Sequence, residues 1–274
     1  MFFVLLFISG FIIGLLSAFL GIGGGSIIVP VLTLVFHIPI HVAIATSLVS
    51  VIFASSNASA SYVKKGITNL RLGLFLEIVT TIFAIIGGII SVSISEKYLF
   101  ISFGTVLLIT AYFYIKNIKS GGQEKKINFF SKQKSIFSGK YFDERLNKEI
   151  YYMPVNLLLT STISGIAGLL SGMLGIGGGV FKVPAMNLVS KIPIKVATTT
   201  SNFMMTLTAA AASVVYLKTN LINPVIASFV VLGVFLGSKI GIRFFPKLKD
   251  SKIKILFTIF LIVIAFQMFY RGVR

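Results

Sequence analysis

The chain has no cysteine, only two histidines and only seven acidic residues among its 274 positions. Without cysteine there is no disulfide, no thiolate metal ligand and no thiol nucleophile. The histidines, His37 and His41, flank a proline-containing turn and read as interfacial side chains rather than metal ligands. No metal or cofactor is therefore expected. A single carboxylate, Glu77, falls inside an apolar segment, so no nucleophile–base pair can be assembled and the chain is not read as an enzyme. The glycine-rich stretches lack a Walker lysine, and Gly-x-Gly-x-x-Gly fails at Ser26 in one and at Val180 in the other. That excludes a phosphate or dinucleotide loop. The net charge of +18 does not imply a nucleic-acid partner, because the basic residues are not interleaved with aromatics. The N-terminal run Phe2–Leu20 has neither a basic leader nor a small-x-small cleavage site, so it reads as mature structure.

What the sequence has in excess is apolar length. Hydrophobic residues make up 56% of it, with 26 phenylalanines, and apolar runs of about 18 residues or more recur along it. The composition is that of an all-α polytopic membrane protein embedded in a lipid bilayer. Eight apolar segments are legible: Phe2–Phe36, Ile40–Val63, Leu70–Ile94, Tyr98–Ile115, Met153–Val189, Ile194–Leu217, Leu221–Phe244 and Ile253–Tyr270.

The segments repeat. Residues 14–47 laid over 168–201 without a gap share 21 of 34 positions, including Gly-Leu-Leu-Ser, Gly-Ile-Gly-Gly-Gly, Val-Pro, Ile-Pro-Ile and Thr-Ser. The chain thus divides into a first membrane repeat, 1–115, a basic linker, 116–150, and a second membrane repeat, 151–274. The linker carries nine Lys/Arg and four acids with little helical periodicity, and is expected to face solvent. If each glycine-broken segment crosses the bilayer once, the repeats are parallel in an eight-helix 4+4 arrangement, with 15 basic residues on one side and eight on the other. If each turns back, the repeats are inverted and the split is 19 on the linker's side against four. The bias of Lys and Arg toward the cytoplasm favours the inverted arrangement and a cytoplasmic linker.

Both breaks fall at consecutive glycines, Gly23-Gly24-Gly25 and Gly177-Gly178-Gly179. Unwound backbone in hydrocarbon is tolerated only when buried in protein or lining a wet cavity. Matching breaks in two repeats point to a transporter's central site. The half-helices that follow offer free N–H groups to an anion, and Ser26 is placed to cap the first of them or to donate a hydrogen bond. Gly165, Gly168 and Gly172 are read instead as helix-packing positions. In the second repeat Lys182 replaces Ile28, one turn past the glycines, as a cation for a bound anion. Thr46 and Ser47, with Thr200, Ser201 and Asn202, are neutral hydrogen-bond groups early in the next helix. Glu77 is a candidate for proton coupling, or for pairing with Arg71 or Lys239, while Lys239 itself is expected to reach toward Arg243 and Lys247.

On these residues the chain resembles the TauE/SafE sulfite exporter family, the TSUP anion permeases. The resemblance is carried by Gly21-Ile22-Gly23-Gly24-Gly25-Ser26-Ile27-Ile28-Val29-Pro30, by its counterpart Gly175–Pro184, and by Ala45-Thr46-Ser47 with Thr199-Thr200-Ser201-Asn202. It implies a multi-pass permease of the cell (inner) membrane that moves sulfite, sulfonates or related organic anions as a secondary transporter. A coupling ion, H+ or Na+, fits that class. The alternatives are an anion channel on the same site and a membrane scaffold protein. Substrate, direction of transport and oligomeric state are not fixed by the residues.

Overall fold

The computed structural model of the chain describes residues 1–20, 23–119, 136–143, 147–244 and 250–273. Helix α1 spans Phe2–Leu20, and α2 spans Gly25–Pro30 before a π-helical turn, Val31–Val35. Helices α3 (Ile40–Lys64), α4 (Leu70–Ser93) and α5 (Glu96–Lys119) follow. Strands β1 (Gly139–Asp143) and β2 (Lys148–Tyr152) precede α6 (Leu157–Leu174). Helix α7 (Gly179–Pro184) runs into a second π turn, Ala185–Val189, and α8 (Ile194–Lys218), α9 (Pro224–Phe244) and α10 (Asp250–Val273) complete the chain. From α2 onward, each helix of the first half has a counterpart starting 154 residues later: Gly25 and Gly179, Ile40 and Ile194, Leu70 and Pro224, Glu96 and Asp250.

Among the described residues, five helical stretches are long and apolar enough to cross a membrane: Ile40–Lys64, Leu70–Ser93, Glu96–Phe113, Leu157–Leu174 and Pro224–Ile242. Helix α8 falls outside that set because Thr198-Thr199-Thr200-Ser201-Asn202 dilutes it.

Proline explains the π turns. Pro30 and Pro184 sit inside short helices and have no N–H to continue the ladder. The bonding then slips to a five-residue spacing, Phe36 N–H to the Val31 carbonyl and Ser190 N–H to the Ala185 carbonyl, both 3.3 Å. Each glycine-broken segment has its two ends together. The Phe2 and Phe36 rings stand 5.7 Å apart, edge to face. In the second half the Val155 N–H donates to the Ser190 carbonyl at 3.2 Å, and the Thr160 and Ser190 hydroxyls are 2.6 Å apart.

Helix pairing runs across the halves: α1 packs on α9, α6 on α4, α5 on α10 and α3 on α8. Glycines allow the closest of these approaches. Gly168 and Gly172 lie against the Thr80 and Ala84 carbonyls, and Gly165 against Val79 and Phe83.

Two expectations need correction. The segment from 116 to 150 is not uniformly solvent-facing: α5 continues to Lys119, and the antiparallel β1–β2 hairpin covers the start of α4. Tyr141 and Tyr152 are buried with Leu72, Leu76, Met186, Ile192 and Val196. Alternation of Tyr, Phe and Ile with charged residues is a strand pattern, and it hides two core aromatics among lysines. Residues 120–135 and 144–146 of that linker, and Gly21, Ile22, Lys247 and Lys249, lie outside the described residues. Second, α6 begins at Leu157 rather than Met153, since Tyr152 belongs to β2 and Pro154 separates the two. The hairpin is pinned by Asn69, whose amide donates to the Phe137 carbonyl (2.8 Å) and the Tyr152 hydroxyl (3.1 Å) while its oxygen caps α4 at Leu72 N–H. On the exposed face Lys140 pairs with Glu149 at 3.0 Å, which holds the Glu149 carboxyl below its ordinary range.

Candidate functional site

The two glycine breaks meet. A Cβ at Gly25 would run into the Gly175 carbonyl oxygen and stand 2.9 Å from Ile176 Cα and C, so only glycine lets these turns touch. Ser47 on α3 donates to that same Gly175 carbonyl at 2.8 Å. Gly24 and Gly178, with φ of +78° and +74°, are the residues that open α2 and α7. This left-handed conformation suits glycine and costs a side-chain-bearing residue. Ser26 does not cap α2: its hydroxyl is buried without a hydrogen-bond partner, and Gly24 takes the capping position.

Around this contact lie two polar clusters. The first is a cavity of about 10 Å³, roughly the space one water needs. It is lined by Ser17, Gly23, Ala54, Ser55, Ala58 and Asn202. Ser55 is held there by the Thr206 hydroxyl at 2.8 Å. Of these, Gly23 and Asn202 are among the residues the sequence singles out, whereas Ser17 and Ser55 are not. Ser17 carried a signal, since it recurs as Ser171 in the repeated Gly-Leu-Leu-Ser. The hydroxyls of Thr46, Ser171 and Ser201 are likewise buried without a hydrogen-bond partner among the described residues.

The second cluster carries charge. Lys182 on α7 is 0% exposed and Glu77 on α4 is 4% exposed. Lys182 Nζ donates to Thr208 Oγ1 at 2.6 Å and stands 3.5 Å from Glu77 Oε2. Thr208, on α8, in turn donates to Glu77 Oε1, and Thr81 donates to the same oxygen at 3.1 Å. Glu77 Oε2 has no hydrogen-bond partner. Three elements thus converge on one buried ion pair bridged by a hydroxyl.

This corrects the expected partners of Glu77. Arg71 is six residues earlier on the same helix, about 600° of rotation and so on another face, and it is exposed. Lys239 is exposed on α9. The pairing with Lys182 spans 105 residues and depends on how α4, α7 and α8 pack, which periodicity does not reveal. Thr208 was missed for the same reason. Of the hydroxyl cluster on α8, Thr200 is occupied elsewhere, accepting from the Asn69 N–H at 3.0 Å. Gly177 has φ of +83° and, with Gly179, is buried at the second break.

Chemically, the cluster sets a buried ammonium, one carboxylate and the Thr208 and Thr81 hydroxyls beside the second glycine turn. No metal-binding group of three or more His, Asp or Glu occurs among the described residues. The family model for the sulfite exporter TauE/SafE matches residues 6–268. The probable membrane transporter protein YunE of Bacillus subtilis (strain 168) is 30% identical over 99% of this chain and 98% of its own length. The probable membrane transporter protein MJ0441 of Methanocaldococcus jannaschii is 27% identical over 92% and 90% of the respective chains. No solved structure matches the chain. With a match across nearly its whole length and the apolar helices to span a bilayer, the chain is a multi-pass membrane transporter and belongs to the TauE/SafE sulfite exporter family.

Proposed function

We propose that the protein is a secondary transporter of small sulfur-containing or organic anions, such as sulfite or a sulfonate, held by Lys182 beside the second glycine turn. The observation that carries this reading is the burial of Lys182 in a fold that does not need its charge. The positions 154 residues from Lys182, Thr208 and Glu77 are Ile28, Ala54 and Val231, all buried and all apolar. Burying an ion pair is seldom a net gain over packed hydrophobic side chains, which are often neutral or better by about 1–4 kcal/mol. An ionisable pair kept inside a membrane protein against that alternative is a functional candidate.

The same reading takes residues 1–115 and 151–274 as inverted repeats that rock against each other about this point. The meeting of Phe2 with Phe36, and of Val155 with Ser190, supports hairpins that enter and leave on one side. Arg271 bonding the Thr33 carbonyl, and Gly272 lying against the Lys97 carbonyl, support a C-terminus opposite the β1–β2 hairpin. On this arrangement the linker 116–150 is cytoplasmic and the membrane is the cell's inner membrane.

Flux into proteoliposomes tests it, with sulfite, thiosulfate, isethionate, sulfoacetate, taurine and small carboxylates offered in turn. Saturable uptake of at least one anion, with counterflow of the same anion, is expected. A non-saturating conductance would make the protein a channel, and no flux of any of them would overturn the reading.

A further inference from the structure

We propose that Glu77 is a built-in competitor for the transported anion, and that it leaves Lys182 by taking up a proton, so that one proton accompanies each anion. This rests on the anion reading of Lys182 and adds the coupling.

The argument is one of charge and hydrogen bonds. Lys182 and Glu77 together are neutral, and both are sealed from solvent. An anion that takes the ammonium would leave Glu77 as a lone buried carboxylate, a far costlier state than a paired one. A proton on Glu77 restores neutrality: the ammonium faces the anion and the acid is uncharged. The existing bonds already accommodate that proton. Oε1 accepts from Thr208 and Thr81, a role a protonated acid's carbonyl oxygen keeps. Among the described residues Oε2 faces the Lys182 ammonium at 3.5 Å and accepts from no hydroxyl, so taking up the hydrogen gives up that ion pair and no other bond. Carrying it, Oε2 becomes a donor 3.5 Å from Nζ, and the two would face the same anion. The ammonium donates to Thr208 at 2.6 Å and pairs with the carboxylate at 3.5 Å. Once Glu77 is neutral, two of its three N–H groups remain for a ligand.

Among the described residues the neighbourhood contains little else that titrates; from the hairpin, the buried Tyr141 and Tyr152 pack with Leu72 and Leu76 of α4. From α7 the group facing Glu77 is Lys182, and α6 carries no titratable residue. On α8, Lys195, Tyr216 and Lys218 are 13, 8 and 10 residues from Thr208, and Tyr216 bonds the Gly172 carbonyl. On α4 itself, Arg71 is exposed. Sodium fits poorly at Oε2, which would set it beside an ammonium with no further oxygen ligands supplied by a second acid. With the apolar Ile28, Ala54 and Val231 at the counterpart positions, the described residues hold one such buried pair, hence one proton per anion.

The test is calorimetric binding of isethionate and of thiosulfate, both fully ionised from pH 5.5 to 8, to the purified full-length protein in buffers of different ionisation enthalpy. The expected result is uptake of about one proton per anion, with affinity falling about tenfold per pH unit where Glu77 is ionised. Glu77→Gln should bind with no proton uptake and no pH dependence. Should that variant fail to fold, the proton count and pH slope of the wild type decide alone, with the double variant E77Q/K182M as the blank: it should fold, bind neither anion and give no proton signal. Binding to the wild type without proton uptake, or uptake that persists in either variant, would overturn the coupling and leave the anion reading standing. Failure of both anions to bind would overturn the anion reading for sulfur oxyanions, and this inference with it.

Discussion

Replacing Gly25 with alanine tests whether the touching of the two glycine turns holds the centre of the molecule together. The added Cβ would overlap the Gly175 carbonyl oxygen and stand 2.9 Å from two backbone atoms of Ile176. Ordinary contact begins near 3.4 Å, so the turns must separate by at least about half an ångström at Ile176 and further at the carbonyl. Neither side is a flexible side chain that can swing away. Ser47 is bonded to the same carbonyl, so the shift breaks a buried hydrogen bond too. Overpacking costs about 1–3 kcal/mol, and these features place Gly25→Ala at about 3 kcal/mol. That corresponds to a melting temperature about 6–12 °C lower in detergent. Gly88→Ala is the control. Its nearest neighbours are Val215 side-chain atoms at 3.4 Å, and alanine favours the helix by about 0.5–1 kcal/mol. If the two variants melt together, the contact between the turns is not structural and the account of the doubled motif is wrong.

Three further outcomes are expected. Lys182→Met and Glu77→Gln each leave one buried charge unpaired and should each destabilise by about 3–5 kcal/mol, whereas the double variant should regain most of the loss; chemical unfolding in detergent measures the cycle. Additive losses would show that the two groups do not interact. Asn69→Ala removes the α4 cap and both ties to the hairpin, at a cost of about 1–2 kcal/mol, with faster hydrogen exchange over residues 137–152 as the local readout. Because the chain has no native cysteine, single-cysteine reporters at the C-terminus and in the linker can be labelled from either face of the membrane; labelling from opposite faces is expected, and labelling from the same face would exclude inverted halves.

Most of the helical framework was legible because its causes are local. Glycine runs end α1 and α6, Pro39 and Pro193 open α3 and α8, and apolar length does the rest, so α3 and α4 match their expected segments to within a residue. The doubling of the sequence exposed both breaks at once. The interior of the site was less legible, because its partners come from different elements. Nothing near Glu77 in the sequence announces Lys182, and Thr208 looks like any threonine bonding its own helix carbonyl, as it also does to Met204. The hairpin was obscured by its charges: Lys140, Lys148 and Glu149 suggest a solvated linker, while Tyr141 and Tyr152, alternating with them, form part of a core. The capping role expected of Ser26 fails because an N-cap serine is the ordinary device, and here a glycine with positive φ takes its place.

The central claim is that the buried ammonium of Lys182 is the anion's counter-charge, and the melting shift of Lys182→Met with isethionate, thiosulfate and sulfite measures it most directly. The wild type should be stabilised in proportion to the logarithm of anion concentration above Kd, and the variant, folded by size-exclusion chromatography, should lose most of that shift. An equal shift in both proteins would contradict the account.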